Sequence, residues 1–451
     1  MITSPRWTLE QLKNELRSRS EVKGWIVTQE NLHRRERYLL LDQGKLSVDQ
    51  DREVNSQSVE VRLFVHTGKT GRQGEISKKF VSEKPLNEQI ESSIAAAKET
   101  DYEAWDLPSD LPKDPPEVKS CDPFMAEDLA GALESATQEV SKAVALPRKT
   151  DFNSSELFMS IHDREVHLSN GLTQRSKQSR MYVEAAYSYS KSGRSDEYLH
   201  TAWTISPADI SIEHLFQEAS DRAEISLQTK KPNTGKYSVI LDADVLAKLF
   251  NSTTFLLSAR NEYLDLPHKN PGDDFIPGAT GDLLTLTLDP SLDFGAVTVS
   301  VADQGIVQKP LVLVDKNIVV TTAIDAQHGK YLKKKPGTYR GNVVLEAGAM
   351  DHAQMIQSAP KVLEILQFSG LFIQETTGTF SSEIRLARLH DHATGTVSII
   401  KGGSLSGSIS DNFKFARFSK NRVKRSEFDY GVATGYFGPE YALLTDVSVV
   451  G

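Results

Sequence analysis

Residues 156–190 read ELFMSIHDREVHLSNGLTQRSKQSRMYVEAAYSYS. Two runs of alternating apolar and polar residues flank Ser169-Asn170-Gly171, a triplet suited to a tight turn, so the spacing predicts strands joined at that turn. The same texture stands earlier, in GWIVTQEN (24–31), RYLLLDQGKLSVDQ (37–50) and SVEVRLFVHTGKTGRQGE (58–75), with a turn at Gln43-Gly44. Alternation of this kind implies a hairpin sheet with one buried face.

Helical text brackets both strand groups. Leu9, Leu12 and Leu16 follow Thr8, an N-cap residue, at helical spacing. LNEQIESSIAAAKET (86–100), with Asn87 as its cap, AEDLAGALESATQEVSKAV (126–144) and ISIEHLFQEASDRAEISLQ (210–228) read as further helices. Helix plus hairpin sheet thus occurs twice, and an internal duplication is the expectation for the first half. The stretch DLPSDLPKDPPEVKSCDP (106–123) holds five prolines and reads as an extended connector. From Tyr237 onward the segments are short, β-branched and punctuated by glycine, with one helix over 245–264. The fold class expected is α+β, in three parts: an α+β subdomain over 1–115, a second over 116–231, and a β-rich domain with an inserted helix over 232–451.

Composition excludes several function classes. The chain of 451 residues is 39% hydrophobic and 25% charged, as in ordinary globular proteins. Its net charge of -9 offers no global field for phosphate backbones or anionic lipid, so direct nucleic-acid binding is not expected. Cys121 is the single cysteine, which rules out intrachain disulfides and CxxC metal knuckles. MITSPRWTLEQLKNEL lacks an apolar leader core, and no run of 18 apolar residues occurs. A cytoplasmic location away from membranes is expected.

Local motifs give little chemistry of their own. His390 and His392 sit at strand spacing beside Asp391 and leave a tetrahedral ion two ligands short, so they read as a solvated strand or turn. His162 and His167, five apart, read as exposed hairpin residues on opposite faces. Ser381 and Ser382 lack a GxSxG elbow and a partner histidine. GGSLSGSISDNF (402–413) lacks the spacing of a phosphate-binding loop. The basic runs at 330–340 and 420–425 lack the interleaved aromatics of a nucleic-acid surface and read as solvated loops.

Four stretches nevertheless carry a resemblance: the Ser-Asn-Gly turn at 169–171, GKYSVILDADVLAKLF (235–250), GLFIQETTGTFSSEIRLARL (370–389) and GVATGYFGPEYALLTDVSVVG (431–451). They are similar, in order along the chain, to sequences of the TldD/PmbA family. That resemblance implies a heterodimer of TldD- and TldE-type subunits that degrades unfolded or leader peptides. In TldD-type chains the helix after the Tyr-Ser-Val-type strand carries HExxxH and a cysteine near the C-terminus completes a zinc site. Here that helix reads DADVLAKLFNSTTFLLSARNEYL (242–264), without histidine, and GVATGYFGP (431–439) has Ala433 and Thr434 and no thiol. The resemblance therefore implies a TldE/PmbA-type subunit that lacks catalytic and metal-binding residues of its own, is inactive alone, and relies on zinc held by a TldD-type partner. Thr379, Ser381, Glu383 and Arg385, with Arg340 and Asn342, are the residues expected to line a groove for peptide or partner. The alternative is a homodimeric interaction or regulatory protein, in keeping with the family's older DNA gyrase modulator label.

Overall fold

A computed structural model describes residues 7–109, 115–429 and 432–451. The connector expected over 106–123 therefore lies partly outside the described residues, as does the boundary at 115–116 on its N-terminal side.

The chain opens on α1 (Leu9–Ser18), where Thr8 and Gln11 form a reciprocal capping box. Three antiparallel strands follow, β1 (Val22–Asp42), β2 (Lys45–His66) and β3 (Arg72–Phe80), then α2 (Leu86–Lys98). Gln43 and Gly44 turn the first hairpin, both at positive φ, 49° and 77°. Asn87 does not cap α2: Pro85 holds the cap position, and the Asn87 side chain instead accepts a hydrogen bond from Arg19. The order then recurs as α3 (Leu129–Ala145), β4 (Asp151–Leu168), β5 (Thr173–Lys191), β6 (Arg194–Thr204) and α4 (Ile212–Ile225). Each set packs its helices on one face of its strands. Leu12, Leu16, Ile90 and Ile94 lie against Val27, Val61 and Leu63, while Leu133, Val140 and Phe216 lie against Leu157, Met159 and Val183.

The second half begins with β7 (Gly235–Asp242) and α5 (Ala243–Thr253), the inserted helix, followed by β8 (Leu286–Asp289), β9 (Leu311–Asp315) and β10 (Asn342–Leu345). Next come β11 (Lys361–Gln374), β12 (Thr379–Asp391) and β13 (Ser404–Ser408). The chain closes with β14 (Arg422–Asp429), β15 (Val432–Pro439) and β16 (Tyr441–Val450). The molecule is mixed α+β and rich in strand. One sheet of 13 strands runs through both halves in the order Ile318–Val319, β9, β8, β10, β15, β14, β6, β5, β4, β1, β2, β3, Tyr102–Glu103. The second sheet closes on itself, since β11, β7, β16, β13 and β12 pair in sequence and β12 pairs back to β11, forming a five-stranded barrel. Closure removes unpaired edges from these strands.

Glu364 of β11 clamps the barrel's end. His390 Nε2 lies 3.1 Å from one of its oxygens, His352 Nε2 3.1 Å from the other, and Arg388 3.5 Å away. Burial alone would raise this carboxyl, but the two imidazole contacts and the Arg388 charge win and hold it at about 2, below its ordinary 4.5. His390 is thus a partner of a buried carboxylate and not a solvated residue. His392 contacts the Ile356 carbonyl at 2.7 Å. A carboxyl whose folded value is depressed stabilises above its unfolded value, and that contribution is lost as pH falls through the folded value. Melting temperatures of the wild type and Glu364→Gln are expected to differ most above pH 4.5 and to converge toward pH 2; a difference independent of pH removes this role from Glu364.

Candidate functional site

Strict alternation on three long neighbouring strands builds the site. On β1, β4 and β5 the odd-numbered Leu39, Leu157, Met159, Met181 and Val183 point into the helix-covered core. Their even-numbered neighbours face the other side of the sheet. Register sets these in rows: Glu36, Phe158, Tyr182 and Trp203 are direct cross-strand neighbours, as are Arg34, Ser160 and Arg180, and likewise Leu32, His162 and Gln178.

The first row extends into an aromatic ladder. Ring centroids step from Tyr38 to Phe158 (5.4 Å), Tyr182 (5.3 Å), Trp203 (4.9 Å) and Phe428 of β14 (5.5 Å). Such contacts are each favourable by about 0.5–1.5 kcal/mol beyond the area they bury. The Arg180 guanidinium lies 4.1 Å from the Phe428 ring centroid, and its Nε donates to Gln178 Oε1 at 2.9 Å. Burial lowers the Arg180 value to about 10, with the Glu30 charge opposing. Among the described residues Arg180 forms no salt bridge. Leu32, Arg34, Phe158, Ser160, His162, Arg180, Trp203, Phe428 and Ala433 enclose a cavity of about 160 Å³.

His162 is a wall of this cavity, with a side chain only 15% exposed, and not the exposed hairpin residue its spacing suggested. It does face away from His167, which is buried and contacts Thr173 across the hairpin. His162 Nδ1 lies 2.7 Å from Glu30 Oε1 and Nε2 3.2 Å from Ser160 Oγ. A carboxylate only accepts, so Nδ1 carries hydrogen and Nε2 of the neutral ring accepts from the Ser160 hydroxyl. The His162 hydrogen bond is the main reason the Glu30 carboxyl sits below its usual range. Glu30, His162 and Ser160 follow the order of a hydrolase triad, yet Ser160 is 6% exposed in mid-strand and pairs on both sides, so no free backbone donors form an oxyanion hole there. The chain of bonds orients a hydroxyl.

The residues do not suit zinc on α5. The side of β14 opposite the cavity carries Arg425 and Glu427, which pair with Asp244 (2.7 Å) and Lys248 (2.8 Å) of α5. Asn251, one turn on, donates to the Ala247 and Gly435 carbonyls. Two cations and committed carboxylates occupy this surface, and among the described residues no three His, Cys, Asp or Glu side chains converge as metal ligands.

The residues expected to line a groove are dispersed. Thr379 and Ser381 lie together on an open cavity of about 930 Å³ outside the barrel, beside Phe372 and Phe415. Glu383 is exposed further along β12. Arg385 reaches the Glu197 carbonyl (3.0 Å) and Asp196 (3.8 Å) in the β5–β6 hairpin. Arg340 shares Asp303 with Arg164, at 3.3 and 2.7 Å. Asn342 is fully buried: its amide donates to the Asp289 carbonyl (2.9 Å) and Thr298 Oγ1 (3.1 Å) and accepts from the Val297 amide (2.9 Å). The basic runs are likewise engaged, Lys334 with Glu262 and Lys424 with Asp209. Among the described residues no helix is long and apolar enough to cross a membrane.

Residues 234–451 match the family model described as the PmbA/TldA metallopeptidase C-terminal domain, and that part of the chain belongs to the PmbA/TldD metallopeptidase family. The fold of the whole chain is similar to that of TldE from Thermococcus kodakarensis, with a TM-score of 0.75 at 13% identity over 97% of this chain and 98% of that one. A Bacteroides thetaiotaomicron protein, described as a "putative modulator of DNA gyrase", gives a TM-score of 0.75 at 17% identity over 98% of each chain. A Thermotoga maritima protein of like description gives 0.73 at 16% over 98% of this chain and 100% of that one. No curated protein matches the chain.

Removing a buried amide that satisfies three partners strands donors and acceptors at about 1–3 kcal/mol each. Asn342→Ala is therefore expected to lower the melting temperature clearly; an unchanged melting curve with impaired peptide binding would return Asn342 to a groove role.

Proposed function

We propose that this chain is a non-catalytic TldE/PmbA-like subunit of a TldD/TldE-type zinc metallopeptidase complex that degrades unfolded or leader peptides. It contributes substrate groove and dimer interface, and the chemistry belongs to the partner. The observation that carries this reading is the surface of α5. Where the family resemblance puts the zinc helix, Asp244 and Lys248 are tied to Arg425 and Glu427.

Zinc, held by a TldD-type partner, would polarise the scissile carbonyl and activate water. This chain's own residues hold substrate. An extended peptide laid on the ladder from Tyr38 to Phe428 meets ring faces at about 5 Å intervals. Such apolar faces grip a chain with little regard to its sequence.

The test is cleavage of an unfolded polypeptide, with zinc quantified, by the chain alone and after co-expression with a TldD-type partner. Activity and stoichiometric zinc in the mixture only are expected. Zinc-dependent cleavage by the purified chain alone overturns the proposal, and a stable zinc-free homodimer that never pairs supports the regulatory alternative.

A further inference from the structure

Arg180 is a partly buried cation that forms no salt bridge among the described residues; Glu30, whose charge reaches it, is hydrogen-bonded to His162 instead. The neighbours of Arg180 in register are Ser160 and, beyond it, Arg34, so two guanidinium groups flank one hydroxyl on three adjacent strands. The buried Nε of Arg34 has no hydrogen-bond partner among the described residues, although its Nη2 pairs with Glu36 at 2.7 Å. A buried donor left unpaired is costly, and a guanidinium fork matches a carboxylate in both geometry and charge. Beside these groups the cavity of about 160 Å³ is walled by Trp203 and Phe428. That is the size of space that accepts a single benzene ring, roughly 150 Å³ in an engineered apolar cavity.

From this juxtaposition we infer that the cavity is a binding site for a carboxylate borne on an aromatic or branched apolar group, the chemistry of a peptide's C-terminal residue. Arg180 receives the carboxylate, the unpartnered Nε of Arg34 supplies a further donor, and Trp203 and Phe428 take the side group. The depressed Arg180 value agrees with a cation awaiting its counter-ion. The identification of the ligand as a peptide end rests on the peptidase-subunit reading, whereas the carboxylate site itself does not.

The test is calorimetric titration of the purified full chain with N-acetyl-L-phenylalanine and with its amide, which differ only in the carboxylate. The acid is expected to bind about ten- to a hundred-fold more tightly than the amide, the range of hydrogen bonds to charged groups. Arg180→Gln is expected to abolish that discrimination and Arg180→Lys to keep part of it, with circular dichroism reporting whether each variant folds. Because the acid and amide are first compared on the unaltered protein, a variant that fails to fold leaves the test standing. Equal affinity for the two probes, no binding of the acid, or discrimination that survives in folded Arg180→Gln overturns the inference. No partner subunit or proteolysis enters the measurement, so its failure is distinct from failure of the co-expression experiment.

Discussion

Cross-strand register between β1, β4 and β5 is the constraint on which the rest depends. Side chains alternate with a period of two, so a slip of one residue on any of these strands would carry its apolar set to the opposite face. Leu157, Met159, Met181 and Val183 are held down by α3 and α4, and that burial fixes the register. Fully burying each such side chain contributes about 1.5–3 kcal/mol, against about 0.5–1.5 kcal/mol for an aromatic contact on the other face. The alignment of Arg34 with Ser160 and Arg180, and of Phe158 with Tyr182 and Trp203, is thus enforced from the other side of the sheet.

The C-terminal half completes the cleft through one narrow join. β14 meets β6 where Ser426 pairs with Trp203, and two residues on, Phe428 closes the ladder and covers Arg180. The position of β14 depends on β15, which lies parallel to β10. Asn342, at the start of β10, packs against Gly435 of β15 so tightly that an added Cβ there would sit 1.9 Å from its Oδ1. Glycine is required at that point by a close approach, and a buried amide far from the cavity in sequence sets the cavity's wall.

Much of the fold was legible in the sequence. Helix-flanked alternating strands, the Gln43-Gly44 and Ser169-Gly171 turns and the helix after Asp242 all follow from local pattern. Closure of the barrel and the run of one sheet through both halves were not legible, because pairings such as β12 with β11 and β14 with β6 lie between strands whose adjacency no local signal encodes. The cavity was hidden for the same reason. Ser160, His162 and Arg180 lie within 21 residues, yet Glu30 and Phe428 stand 132 and 266 positions from His162. His162 looked exposed because polar residues surround it in sequence, while in space it faces Glu30 across the β1–β4 ladder. Asn342 looked like a groove residue for the converse reason: a polar side chain beside a basic loop gives no sign of the buried carbonyls it satisfies.

The two faces of β14 separate two kinds of charge. On one, Arg425 and Glu427 meet opposite charges on α5, and such partly exposed pairs contribute about 0–1 kcal/mol. They complete a surface and leave nothing for a ligand. On the other, Phe428 meets a guanidinium that forms no salt bridge among the described residues, the Glu30 carboxylate being bonded to His162. The ring's quadrupole returns about 0.5–2 kcal/mol, while desolvating an ion costs several. Stability alone would favour an apolar side chain at 180, packed between Trp203 and Phe428. A cation retained there at a net cost is the signature of a site whose missing partner arrives from outside the chain.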